Sequence, residues 1–217
     1  MANLQASLRS QCAIAVNQPQ QMLQSVNRQF YENAAETAYA TLFNAEYDDD
    51  SRCLRCANCG HLPALLLRND NSVERLDSTT TVLGLFGEFD CEMAELPLCP
   101  GDTFALYTDG ITECCSAADE EFGEQRLVET LRRHRHLPAE ALVGAVVDKL
   151  KQFSPGEQND DITLIVAHCR RDEGRHKLSH DPCNLPIDLQ NGNRLYFRAK
   201  RLRHEINLRL CSKLEND

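Results

Sequence analysis

Phe104, Ala105, Leu106 and Tyr107 form a near-continuous apolar run between Thr103 and Thr108, the pattern of a strand covered on both faces. Ile162 to Ala167 is a second run, rich in β-branched residues, and it predicts a closing strand that begins near Asn159. Between the two the spacing becomes helical. Leu127, Val128 and Leu131 predict a helix over 124–136. Leu142, Val143, Val146, Val147 and Leu150 predict another, with Pro138 in its first turn and its end near Phe153. At the start of the chain, Leu4, Leu8 and Cys12 recur every four positions among alanines, which predicts a helix over 1–16. Met22, Leu23, Val26 and Phe30 predict a second, ending about Asn33. From Tyr39 to Leu76 the pattern is a β-meander, with strands at 39–46, 52–58, 63–68 and 73–76. Asp48-Asp49-Asp50-Ser51 and Asn69-Asp70-Asn71-Ser72 are the turns between them. A further strand runs from Cys91 to Leu98, and Pro100-Gly101-Asp102 turns into the central run. After residue 170 there is little apolar periodicity before Leu195. A short helix from about Arg194 to Leu210 is the one element expected there.

Composition narrows the class. The 217 residues are 42% hydrophobic, enough for one domain with its own core. No apolar run reaches the length of a membrane span, and the N-terminus has no signal-peptide pattern. The net charge of −10 divides unevenly: residues 1–169 carry −14 and residues 170–217 carry +4. The acidic body argues against a nucleic-acid surface. The change of sign sets an expected boundary near Arg170, with 171–217 as a basic tail, disordered or partner-binding. Eleven cysteines with no disulfide-framework spacing read as free thiols in a reducing cytoplasm.

Candidate chemistry centres on carboxylates at strand ends. Asp109 stands where the central strand leaves the core, and Gly110 allows a sharp turn after it. Taken alone, Asp-Gly is ordinary turn chemistry. Asn159-Asp160-Asp161 is the mirror arrangement, with carboxylates ahead of a strand. If the two strands pair antiparallel, Asp109 and Asp160 converge at one sheet end. Converging carboxylates repel unless a cation lies between them, and Mg²⁺ or Mn²⁺ suits such oxygen donors. Adjacent strand residues face opposite ways, so only one of Asp160 and Asp161 can serve; Asp160 is the first choice and Asp161 the second.

Other residues invite rival readings. Cys53, Cys56, Cys59 and His61 supply enough soft ligands for zinc, which would make the chain a small zinc-binding regulator. Strand alternation opposes this, because Cys53 and Cys59 share a face and Cys56 takes the other. The three acids at 48–50 lack the glycine and distal glutamate of a calcium loop. His61 is a candidate for binding substrate phosphate or moving a proton; otherwise it is a turn histidine. Cys114 and Cys115 have no adjacent base to activate them and read as inert loop thiols.

The ordered set Tyr39-Ala40-Thr41-Leu42-Phe43, Ala57-Asn58-Cys59-Gly60-His61-Leu62-Pro63, Val82-Leu83-Gly84-Leu85, Leu98-Cys99-Pro100-Gly101-Asp102, Tyr107-Thr108-Asp109-Gly110, Glu121-Phe122-Gly123 and Asp160-Asp161-Ile162-Thr163-Leu164 resembles the PPM-type (protein phosphatase 2C-like) metal-dependent Ser/Thr phosphatases, in their bacterial SpoIIE-like branch. The resemblance covers roughly residues 1–170. It implies an α+β fold, an αββα sandwich of two mainly antiparallel sheets flanked by helix pairs. It implies hydrolysis of phosphoserine or phosphothreonine in a protein of the anti-sigma-factor-antagonist kind, with two Mn²⁺ or Mg²⁺ ions activating a water. Asp109 and Asp160, or Asp161, are the metal ligands so implied. The Gly84 segment is implied to pack against the first two helices, which act in the family as a switch at the metal site. The family also carries a metal-bridging aspartate on a strand before its first helix, and Met1 to Ala6 look like the interior of that helix. An N-terminally truncated domain lacking its first strands, with an exposed sheet edge and weakened metal binding, is therefore expected. The rival of another class is a degenerate, non-catalytic phosphatase domain that acts as an interaction module.

Overall fold

A computed structural model describes residues 7–8, 10–11, 18–33, 38–48, 51–155 and 161–169, and the backbone of strands at 184–187, 194–200 and 209–212. The chain divides into two compact units, each built from three separate stretches. The first comprises Met1–His61, Asp77–Pro97 and Leu178–Arg201; the second comprises Leu62–Leu76, Leu98–Lys177 and Leu202–Asp217.

In the first unit, helix α1 spans Pro19–Asn33. Proline suits its first turn, where a backbone N–H would lack a partner anyway. Met22, Leu23 and Val26 bury the expected stripe against Leu42, Ala57, Cys59 and Leu83, and Phe30 packs at its edge. Of the helix expected over 1–16, Ser7, Leu8, Ser10 and Gln11 are described; they are helical and Leu8 is fully buried. The sheet of this unit is built on strands β1 (Leu42–Asp48) and β2 (Cys53–Cys59), which pair antiparallel from Leu42↔Cys59 to Asp48↔Cys53. Strand β5 (Ala94–Pro97) lies on the outer side of β2.

The second unit holds β3 (Ala64–Leu67), β4 (Val73–Leu76) and β6 (Thr103–Tyr107). A one-turn helix α2 (Asp109–Thr112), helices α3 (Gly123–His134) and α4 (Ala139–Phe153), and strand β7 (Thr163–His168) follow. All five residues of β6 are buried, as a covered central strand requires. The β3–β4 turn is held by Asp70, whose carboxylate accepts the Ser72 N–H at 2.8 Å and its hydroxyl at 2.6 Å. Asn71 takes the left-handed conformation there, with φ of 70°. Leu127 and Leu131 of α3 and Leu142, Val146 and Leu150 of α4 close over Leu65, Ala105, Tyr107 and Val166. Arg132, Arg133 and His134 at the end of α3 complement its negative pole.

Two expectations are corrected by the C-terminal residues. Instead of a helix from about Arg194 to Leu210, there are strands β8 (Asn184–Ile187), β9 (Arg194–Lys200) and β10 (Arg209–Ser212). The reason is legible afterwards: Leu195, Phe197 and Ala199 alternate with Arg194, Tyr196, Arg198 and Lys200, a period of two. The sheet edge expected to be open is paired. Strand β9 lies parallel to β1, and β10 lies antiparallel to β7. The sheets run β5-β2-β1-β9-β8 and β10-β7-β6-β3-β4, so the chain is α+β with mainly antiparallel pairing.

Candidate metal centre

The strands that carry the two carboxylate motifs do pair antiparallel, the condition set for the motifs to converge. Strands β6 and β7 pair antiparallel, with Tyr107 opposite Leu164 at the end that leads into Asp109. Beyond that pair the ladder continues through Thr108. Its N–H donates to the Thr163 carbonyl at 3.1 Å. Its hydroxyl accepts the Thr163 N–H at 3.0 Å and donates to the Asp161 carbonyl at 3.2 Å. Asp109 and Asp161 thus start from one tied junction. Both side chains are half-buried, while Ile111 and Ile162 beside them are sunk in the core. Each arm is anchored by an apolar neighbour, so its carboxylate stays at the rim.

Asp109 opens α2 rather than a glycine turn. Its Oδ1 accepts the Gly110 N–H at 3.1 Å, and its carbonyl accepts the Glu113 N–H at 2.8 Å. This corrects the expected role of Gly110. Among the glycines with positive φ are Gly60, Gly84, Gly101 and Gly123, and Gly110 is not among them. The backbone changes direction by entering a right-handed helical turn, for which glycine's freedom is not needed. Two residues before Asp109, the Tyr107 hydroxyl donates to Glu124 Oε2 at 2.6 Å, and Arg75 pairs with the other oxygen of that carboxylate. Central strand, α3 and β4 are locked together just behind Asp109.

The donor chemistry suits a hard divalent cation: two carboxylates at adjoining strand ends. Among the described residues no group of three or more His, Cys, Asp or Glu side chains is placed to hold a metal ion. Asp160, the first choice from the sequence, lies outside the described residues, as does Asn159.

The same survey covers Cys53, Cys56, Cys59 and His61, and it removes the zinc reading. Burial pushes the Cys56 thiol from an ordinary 9.0 up to about 12, with Cys53 adding to the rise. Burial pushes Cys59 up further still. His61 is itself buried, and its backbone N–H donates to Asn58 Oδ1 at 2.8 Å. The turn before it needs Gly60, whose φ is 71° and whose added Cβ would fall 2.3 Å from Val82 Cγ1. Cys114 is buried in the core. Cys115 stays half-exposed, with its thiol raised by desolvation and by the acids around it.

Gly84 packs against α1, as expected of its segment. Its φ is 84°, and an added Cβ would lie 2.4 Å from the Phe30 ring. Its N–H donates to Asn27 Oδ1 at 2.8 Å, and Asn27 Nδ2 donates to the Phe86 carbonyl at 2.9 Å. Asn27 is fully buried. Sequence reasoning missed it, although a polar residue beside Val26 on an apolar helix face was a usable sign. It also missed Ser78, Thr79 and Thr80, which bind the end of β2: the Gly60 N–H donates to Ser78 Oγ at 3.0 Å, and Thr79 N–H to the Asn58 carbonyl at 2.9 Å.

Residues 1–170 match the family model described as Stage II sporulation protein E (SpoIIE). The chain belongs to the SpoIIE family. It is 30% identical over 150 residues to the phosphoserine phosphatase RsbU of Bacillus subtilis, a match that covers 68% of this chain and 44% of that protein. The chain spans less than half the length of the curated relatives it matches. Among solved structures, the SiaA-PP2C domain of Pseudomonas aeruginosa superposes with a TM-score of 0.64 at 22% identity, over 79% of this chain and 68% of that one. The Mn-presoaked phosphatase domain of SpoIIE from Bacillus subtilis gives a TM-score of 0.56 at 15% identity, over 81% and 77%. At those identities the likeness shows a shared fold, which is the PP2C-type fold expected of a SpoIIE-family chain. Among the described residues, no helix is long and apolar enough to cross a membrane.

Proposed function

We propose that this SpoIIE-family chain is a metal-dependent phosphoserine/phosphothreonine protein phosphatase of a bacterial signalling pathway. Its substrate is a phosphorylated protein of the anti-sigma-factor-antagonist kind, and it works in the cytoplasm. The observation that carries the reading is the junction at Thr108, which ties the Asp109 turn to the Asp161 segment in a chain of this family. Asp109 with Asp160 or Asp161 would hold Mn²⁺ or Mg²⁺, whose bound form neutralises phosphate charge and supplies an activated water. The chain's own residues bind and orient: the carboxylates fix the cation, and the buried arms behind them keep the geometry from relaxing between turnovers. His61 is proposed to contact the substrate phosphate, which a His61→Ala variant tests as a rise in KM. Residues 1–170 are proposed as the phosphatase portion; 171–217 adds strands to both sheets and is proposed to bind a partner as well.

The deciding experiment is Mn²⁺-dependent hydrolysis of p-nitrophenyl phosphate by this chain and by Asp109→Ala. Activity that needs Mn²⁺ and disappears in the variant supports the enzyme. Phosphoprotein binding without turnover in either protein would replace it with the interaction-module reading.

A further inference from the structure

Thr108 does more than end a strand. A threonine hydroxyl has one proton to give and two lone pairs to offer. At Thr108 the proton goes to the Asp161 carbonyl, and one lone pair takes the Thr163 N–H. With its own N–H on the Thr163 carbonyl, this single residue makes three hydrogen bonds to the segment 161–163. Its side chain stands in for the main-chain acceptor that the antiparallel ladder would otherwise need beyond the Tyr107↔Leu164 pair. Only 5% of Thr108 is exposed, so water does not compete for these bonds.

We propose that Thr108 is a positioning residue for the cation site, setting the separation of the Asp109 and Asp161 arms before any ion arrives. This rests on the phosphatase reading above. Carboxylates that share one cation repel in its absence, and such repulsion would splay the arms apart. A junction that resists splaying lets the ion bind a formed site instead of assembling one. Neighbours that orient metal ligands are worth about 10–100-fold in metal affinity. The neighbour here is a hydroxyl acting on the backbone of one ligand arm and leading directly, through the chain, to the other.

The test compares Mn²⁺ binding by the 217-residue chain with that of Thr108→Val and Thr108→Ser, measured by calorimetry with Mn²⁺ as the only added metal. Valine keeps the volume and loses the hydroxyl; serine keeps the hydroxyl. The expected result is a loss of about tenfold or more in Thr108→Val and less than about threefold in Thr108→Ser. Wild-type affinity in Thr108→Val overturns the positioning role and leaves the phosphatase reading standing. No Mn²⁺ binding by the wild-type chain overturns both. Should Thr108→Val not fold, hydrogen exchange on the wild-type chain decides. The Thr163 amide should be protected without metal and more so with Mn²⁺. Exchange as fast as in the exposed turn at Ser51 and Arg52, or no change with Mn²⁺, overturns the proposal.

Discussion

The Arg68 guanidinium donates to the Asp102 carboxylate at 2.9 Å, at the end of β6 opposite to Asp109. Asp102 is buried and also accepts the N–H groups of Asn69, at 3.0 Å, and Cys99, at 2.9 Å. Both ends of the central strand are therefore fastened by polar side chains, one by Asp102 and the other by Thr108.

Removing Asp102 leaves Arg68 and two backbone N–H groups without this acceptor. Asp102→Ala should lose about 1–3 kcal/mol, the cost of leaving two backbone N–H groups without their acceptor, because Arg68 keeps its pair with Glu74. Urea denaturation followed by circular dichroism measures it. A loss no greater than that of an exposed pair such as Arg55–Glu95 would show that the network is ornamental.

Gly84→Ala should destabilise the first unit by about 2 kcal/mol or more, since the backbone is left-handed there and the new methyl meets Phe30. Asn27→Ala should cost about 1–3 kcal/mol by stripping partners from Gly84 N–H and the Phe86 carbonyl. The two changes act on one contact, so the double variant should fall short of their sum. A thermal-melt double-mutant cycle reads the coupling directly.

Stability should decline on the alkaline side. Burial raises Cys56 to about 12 and Cys91 to about 11, against 9.0 for an ordinary thiol. Because the folded values are the raised ones, their contribution is fully present below pH 9 and is lost as pH climbs toward 11–12, where the unfolded chain has already ionised. Denaturation midpoints taken from pH 8 to pH 10.5 should fall, and the slope should be shallower in Cys56→Ala. Equal slopes in the two proteins would remove Cys56 from the account.

Metal content should separate the zinc-binding regulator from the phosphatase. The purified chain should hold no stoichiometric zinc, because strand alternation puts Cys56 on the face opposite Cys53 and Cys59 and, among the described residues, no three His, Cys, Asp or Glu side chains are placed to hold a metal. Mass spectrometry of metal content checks this. One zinc per chain, lost in Cys53→Ser, would reinstate the regulator.

Much of the fold was legible because its elements carry strong periods. The run at 104–107 is buried throughout, and the stripe Met22, Leu23, Val26 faces the core as its spacing requires. The antiparallel meeting of the Asp109 and Asp161 motifs was legible from order alone: carboxylate after one strand, carboxylate before the other. What the sequence did not reveal are the side chains that hold main chain. Thr108, Asn27 and Ser78 bond to backbone groups 18 to 59 residues away, and no local pattern marks such partners. Gly110 misled for a related reason. Asp-Gly suits both a left-handed turn and the first turn of a helix, and only the bond from Glu113 N–H to the Asp109 carbonyl decides between them. At Arg194–Lys200 an alternating pattern was present but was outweighed by its polar flanks.

The chain is threaded through its two units in alternation, three stretches to each. During synthesis, then, neither unit is finished when the ribosome has released its first half. Thr108 must wait for a partner 53 residues further on, so its junction is among the late contacts to form. A cut anywhere in 62–97 would sever both units at once, and a gene fragment encoding one of them as a continuous piece does not exist. Each unit is therefore better probed by point substitution than by excising a continuous piece of the chain.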